Sequence, residues 1–204
     1  MKTNLLAIFL ILCSAASMTV AATPYAPYYP GAHRSIQAQE QTPADILKQG
    51  ISKLTAFIKS GKAANEAQAM RYLNKEITPY FDFAYMTRWA AGPAWRNMNP
   101  QQRNAMQAKL TESFLTILAQ KLTSYTSQPI RYFTPRGHSK DEVTVSAWIM
   151  QPNGHPTKLD FRFYSNDGKW KIFDVKAGGN SAVVYYRKQL RNMYRMSGQN
   201  RIYN

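Results

Sequence analysis

Three histidines, His33, His138 and His155, are the side chains best suited to move protons near neutral pH, and each falls in a stretch without apolar periodicity. No pair of them has the spacing of metal ligands, and the sequence identifies no carboxylate that would orient any of them. They read as surface histidines. Three carboxylates remain as candidates for a general base: Asp82, Asp160 and Asp174. Asp160 alternates out of phase with Leu159, Phe161 and Phe163, so it is expected to face solvent or a basic residue on a neighbouring strand. Asp82 sits near a helix start, where a carboxylate stabilises exposed N–H groups. Around Asp174 the apolar residues hold no clean two-residue period, which leaves its direction open. No P-loop, G-x-S-x-G, H-E-x-x-H or dinucleotide fingerprint occurs.

The chain opens Met1-Lys2-Thr3-Asn4, runs apolar from Leu5 to Leu12 and reaches Val20-Ala21-Ala22, the pattern of a cleavable secretory signal over residues 1–22. The only cysteine, Cys13, lies within it, so the exported chain is expected to hold no disulfide, thiolate nucleophile or cysteine metal site. Residues 23–41 begin rich in Pro and Tyr and read as a flexible leader. Residues 42–204 then suit one domain with a sizeable core. The formal net charge is +15. In a cytosolic protein this would suggest nucleic acid; in an exported one, transient contact with anionic membrane surfaces is the better reading.

The elements that must position any site follow from periodicity. Thr42-Pro43 starts an amphipathic helix whose stripe is Ile46, Leu47, Ile51, Leu54, Phe57 and Ile58, stopped at Gly61. A second helix is predicted from Asn65 to Glu76, followed by two or three short helices in the aromatic run from Ile77 to Asn99. Asn99, Pro100 and Gln102 carry a capping box opening a long helix with Met106, Leu110, Phe114 and Leu118 on its apolar face. Beyond residue 128 the period becomes two, over Val143, Val145, Ala147 and Ile149 and over Leu159, Phe161 and Phe163, with turn clusters at Pro152-Asn153-Gly154 and Ser165 to Gly168. A strand over Trp170, Ile172, Phe173 and Val175 breaks at Gly178-Gly179, and Asn180 or Ser181 caps a closing helix. Helices first and strands second predict an α+β domain, with a helical layer on one face of a twisted antiparallel sheet of about four strands. The wide apolar faces fit an ordinary core or the walls of a binding pocket.

Four segments together carry a resemblance: the leading helix; Ile77-Thr78-Pro79 with Phe81-Asp82-Phe83, Met86-Thr87, Gly92 and Trp95-Arg96; Pro152-Asn153-Gly154 with Leu159-Asp160-Phe161; and Trp170, Ile172 to Val175, Gly179, Ser181 and Tyr186-Arg187. Over roughly residues 42–198 the chain resembles the MlaC, or toluene-tolerance auxiliary, family of periplasmic phospholipid-binding proteins. Gly178 departs from the family pattern, where a glutamate is usual. The resemblance implies an apolar cavity between helices and sheet that takes up acyl chains, with phospholipid as cargo, no cofactor, no metal and no covalent chemistry. It implies a periplasmic shuttle between an outer-membrane lipoprotein complex and an inner-membrane ABC transporter with its MCE-domain subunit, and no nucleic-acid partner. The expected cavity lining is Val143, Val145, Ile149, Leu159, Phe161 and Phe163 from the sheet, facing Phe83, Met86, Trp89, Phe114, Leu118 and Val183 from the helices. The alternative is a cone-shaped enzyme acting on a hydrophobic substrate, with Asp82 or Asp174 as base.

Overall fold

The hydroxyl of Thr42 accepts the Asp45 N–H at 3.2 Å and Pro43 fills the first turn, so helix α1 (Pro43–Lys59) begins where the cap chemistry dictates. The computed structural model describes residues 41–123, 125, 128–152 and 154–199. The signal segment, almost all of the leader and Asn153 lie outside the described residues. After α1, Asn65 caps helix α2 (Glu66–Tyr72), which relaxes into a π-helical turn over Leu73–Ile77 and a 3₁₀ turn over Thr78–Tyr80. Helix α3 (Phe83–Ala91) is followed by a 3₁₀ segment, Gly92–Asn97, and helix α4 (Pro100–Leu122) opens with both hydrogen bonds of the Asn99/Gln102 capping box.

Six strands follow: β1 (Ile130–Tyr132), β2 (Arg136–Ser139), β3 (Glu142–Ile149), β4 (Thr157–Asn166), β5 (Lys169–Ala177) and β6 (Asn180–Ser181), before helix α5 (Ala182–Gln199). All named strand pairs are antiparallel, in the order β1-β3-β4-β5-β6, with β2 continuing the β1 edge of β3. The two strands beyond the four expected leave little trace in the sequence. Every residue of β2 is exposed, so it shows no apolar alternation, and Pro135, which has no N–H to give to the ladder, separates it from β1. Strand β6 has only two residues. The β4–β5 hairpin turns at Asp167 and Gly168, both at positive φ as a two-residue hairpin favours. Gly178 and Gly179, with φ of 56° and 86°, make the equivalent turn into β6.

One irregularity decides the direction of Asp174. Arg162 pairs with Asp174 while Phe163 pairs with Ile172, so Phe173 is an extra residue in β5. The bulge resets the phase: Ile172 and Val175 both belong to the sheet's inner apolar cluster, although three residues apart. Phe173 and Asp174, between them, are 1% and 0% exposed. Both Asp174 oxygens accept the Ser181 hydroxyl, at 3.0 and 2.8 Å, and Oδ1 accepts the Val183 N–H at 3.1 Å. Ser181 in turn accepts the Val184 N–H at 3.2 Å, so the first turn of α5 is capped from β5 and β6 together. Arg162 lies 3.6 Å from Asp174, 2.6 Å from Glu142 and over the Phe173 ring.

Asp82 is equally committed. Its N–H donates to the Ile172 carbonyl at 2.8 Å, beside an isolated parallel bridge from Phe81, and its carboxylate accepts the Tyr85 N–H at 2.8 Å as the cap of α3. Asp160 faces away from the inner cluster, as its phase requires, and accepts from Ser146 with Arg136 at 4.0 Å. On the helical side, Phe57 of α1 stacks on Tyr72 of α2, with ring centroids 4.0 Å apart, and Lys53 pairs with Glu76 at 2.7 Å. That hydrogen bond, reinforced by the ammonium charge, holds the Glu76 carboxyl below its usual range, so the pair stabilises the fold at neutral pH and is lost as pH falls through the lowered pKa.

Replacing Asp174 by Ala removes the acceptor for the Ser181 hydroxyl of β6 and the Val183 N–H of α5, and leaves Arg162 short of a partner. The expected loss is about 3 kcal/mol in urea unfolding. An Asp174→Ala variant that unfolds at the wild-type midpoint would mean that α5 is anchored by packing alone.

Candidate functional site

The buried apolar residues fall into two clusters that do not merge. One joins α2, α3, α4 and α5 to the end of α1, around Leu73, Met86, Leu115 and Val183. The other joins the start of α1 to the sheet, through Ile46 and Leu47 against Val145, Ala147, Phe163 and Ile172. Helix α4 packs on α2 and α3, and its C-terminal half stands away from the sheet. Between the clusters lies a cavity of about 840 Å³.

Its walls come from four directions. Leu47, Ile51, Leu54 and Ile58 of α1 form one side, and Phe114, Ile117, Leu118 and Leu122 of α4 another. The sheet supplies Ala147, Ile149, Leu159, Phe161 and Val175, and Ala182, Tyr185 and Tyr186 close the space from α5. Ile117 is 37% exposed despite its place on an apolar stripe, because it faces this space and not a packed neighbour. Polar groups gather where the strand ends meet the helices: Lys121, Gln128, Gln151, Thr157, Asn180 and Ser181. Of these, Lys121, Thr157 and Asn180 are exposed, which marks this end as the mouth.

The chemistry available inside is narrow. No Asp, Glu, His or Cys lines the cavity among the described residues, and Lys121 is its single charged lining residue. Burial pushes the Tyr186 phenol above its ordinary range, partly offset by a hydrogen bond with Ser113, so it stays neutral at physiological pH. Among the described residues no group of three His, Cys, Asp or Glu side chains could hold a metal ion. The arrangement can desolvate an apolar molecule and meet polar atoms at its mouth. Ser181 is the lining hydroxyl that meets a carboxylate, and its bonds to Asp174 and the Val184 N–H commit it to the start of α5.

Of the residues expected on the lining, Phe114, Leu118, Ile149, Leu159 and Phe161 stand on the cavity wall. Phe83, Met86 and Val183 are packed in the helical cluster, 5%, 0% and 4% exposed. Val145 and Phe163 belong to the cluster beneath the start of α1, and Val143 packs against it near the opposite end of β3 from Ile149. Trp89 points outward, 42% exposed, against Tyr85 and Phe173. The α1 wall was absent from the expected lining. Its signal was the breadth of the α1 stripe: Leu47 and Phe57 are buried, while Ile51, Leu54 and Ile58, also apolar, remain half-buried along the cavity.

A family model described as MlaC protein matches residues 48–203. The chain belongs to the MlaC family. Its fold is shared by a phospholipid-binding protein from Ralstonia solanacearum solved in complex with a phospholipid, with a TM-score of 0.70 at 22% sequence identity, covering 78% of this chain and 90% of that one. No curated protein matches the chain. The sheet-and-helix architecture of this MlaC-family chain is therefore that of a solved relative, and the two apolar clusters with the space between them are built on it.

If the space is a true void, enlarging its wall and enlarging the packed core must differ in outcome. Leu118→Trp in this MlaC-family cavity displaces the equivalent of about two methylenes of any apolar occupant, at about 0.8 kcal/mol each, and should weaken binding of a fluorescent fatty-acid probe about tenfold with melting little changed. Val145→Trp, beneath α1, should instead cost about 3 kcal/mol of stability by overpacking. Equal destabilisation by both would mean that the cavity is closed in solution.

Proposed function

We propose that this chain is a periplasmic phospholipid carrier, exchanging lipid between an outer-membrane lipoprotein complex and an inner-membrane ABC transporter with an MCE-domain subunit. The observation that carries the reading is the apolar cavity of about 840 Å³, roofed by α4 and floored by the sheet, with its polar groups at the mouth. Family membership and the phospholipid-bound relative of the same fold support it. Burial of acyl chains at about 0.8 kcal/mol per methylene supplies the affinity, so two chains outweigh any hydrogen bond to the headgroup. Tolerance of chain length and weak headgroup selection follow. Phospholipid is cargo here and not a cofactor, and no nucleic acid is a partner.

Asp82 and Asp174, the bases an enzyme of this shape would use, both serve as acceptors for helix N-termini, and neither lines the cavity. The reading is accordingly of a binding protein that performs no covalent chemistry. Mass spectrometry of an organic extract from the folded, purified protein tests it, with phospholipid expected at about one molecule per chain by the size of the cavity. Protein that is lipid-free and also refuses added phospholipid overturns the proposal.

A further inference from the structure

The strand ends that form the cavity mouth carry a second feature on their outer face. The ladder places Arg131 of β1 opposite Trp148 of β3, and Trp148 opposite Lys158 of β4. The Arg131 guanidinium lies 5.2 Å from the Phe133 ring centre, the Phe133 and Trp148 rings are 4.5 Å apart, and the Lys158 ammonium lies 4.6 Å from Trp148. Together they make one continuous run of cation, ring, ring and cation, with the two ring planes tilted at 48° to each other. Arg131 and Lys158 are exposed, and so is Met150, just past the end of β3.

The run is tied to the mouth by alternation along the strands. Ile130, Ile149 and Thr157, chain neighbours of Arg131, Trp148 and Lys158, all line the cavity. The carboxylates nearest to the run are already committed to other partners. The next rows of the same face carry Arg136, Arg162 and Lys176 with three carboxylates, of which Asp174 and Glu142 are paired with Arg162 and Asp160 accepts from Ser146 and faces Arg136. The whole chain carries +15.

We propose that this run is the surface by which the protein docks on an anionic bilayer, setting the cavity mouth at headgroup level. The purpose of docking, though not the docking itself, rests on the lipid-carrier reading. A tryptophan is amphipathic and favours the headgroup region, lysine and arginine lay their apolar stems along neighbouring surface while their charged ends reach phosphate, and an exposed methionine adds apolar contact. Tryptophan flanked by lysine and arginine is the composition of membrane-interface belts and polybasic lipid-binding surfaces, and the net positive charge of the chain complements an anionic bilayer. Each basic residue near an anionic surface multiplies affinity about fivefold.

The test is co-sedimentation of the full exported chain with vesicles of phosphatidylcholine, alone or mixed with phosphatidylglycerol. Binding is expected to the mixed vesicles only, to fall with added salt, and to weaken at least about tenfold in R131E/K158E. Lipid recovered by extraction from that variant should be unchanged, because neither residue lines the cavity. In a second variant, W148F, the tryptophan emission shift on vesicle binding should shrink. Equal binding to both vesicle types, or unaltered binding in R131E/K158E, overturns the proposal. So does wild-type protein that ignores vesicles yet loses lipid delivery in the variant, an outcome that assigns the surface to an acidic protein partner. Vesicle binding with no lipid in the extract would instead fault the carrier reading and leave the docking surface standing.

Discussion

Asp174 is wholly buried, and the structure satisfies it by spending its oxygens on the start of α5. A buried carboxylate without donors is strongly unfavourable, so the position of this side chain dictates where the Ser181 hydroxyl and the Val183 N–H must be. The bulge at Phe173 aims Asp174, the two glycines at positive φ return the chain within reach of it, and Ser181 caps the helix from the same place. Since Ala182, Tyr185 and Tyr186 line the cavity, the same interaction sets its α5 boundary. Arg162 joins this centre to Glu142 on β3, so the end wall is referenced to the sheet across β4 and β3.

The void persists because each of its walls is held by something else. The start of α1 is buried against the sheet by Ile46 and Leu47, while Phe57, near its other end, stacks on Tyr72 of α2. Helix α4 is fixed by Met106, Leu110 and Leu115 within the helical cluster, which leaves Phe114, Ile117 and Leu118 facing the sheet across the gap. Collapse of α4 onto the sheet would bury more apolar surface there. It would also strip surface already buried against α2 and α3, so the gain is offset.

Local chemistry was legible in the sequence. The Thr42 cap and the Asn99/Gln102 capping box depend on residues three apart, and both form. The alternation over β3 and β4 follows directly from period two, and their full-length pairing respects it. Asp174 could not be oriented because a bulge is a property of two strands, visible only when Arg162 and Phe163 find their partners. Separating cavity wall from packed core failed for a similar reason. Val145 and Leu159 are equivalent by pattern, yet α1 crosses over Val145 and leaves Leu159 open to the space, and the crossing point depends on tertiary packing. Phe114 and Leu118 face the space because the long apolar stripe on α4 exceeds what its helical neighbours cover.

A cavity that cannot close also links stability to occupancy. Walls this apolar give water few hydrogen-bond partners and give hydrocarbon many dispersion contacts. An apolar occupant makes those contacts in the folded state and has no comparable site in the unfolded chain, so it stabilises by RT ln(1 + [L]/Kd). The walls that feel this most directly are α1 and α4, where Ile51, Leu54, Ile58, Phe114 and Leu118 are only half-buried by the protein itself. The α5 wall feels it least, because Asp174 anchors its first turn from within the sheet whether or not the space is filled. Entry of an apolar molecule would therefore be best accommodated by small separations of α1 and α4 from the sheet, with the β5–α5 junction as the fixed edge about which the mouth widens.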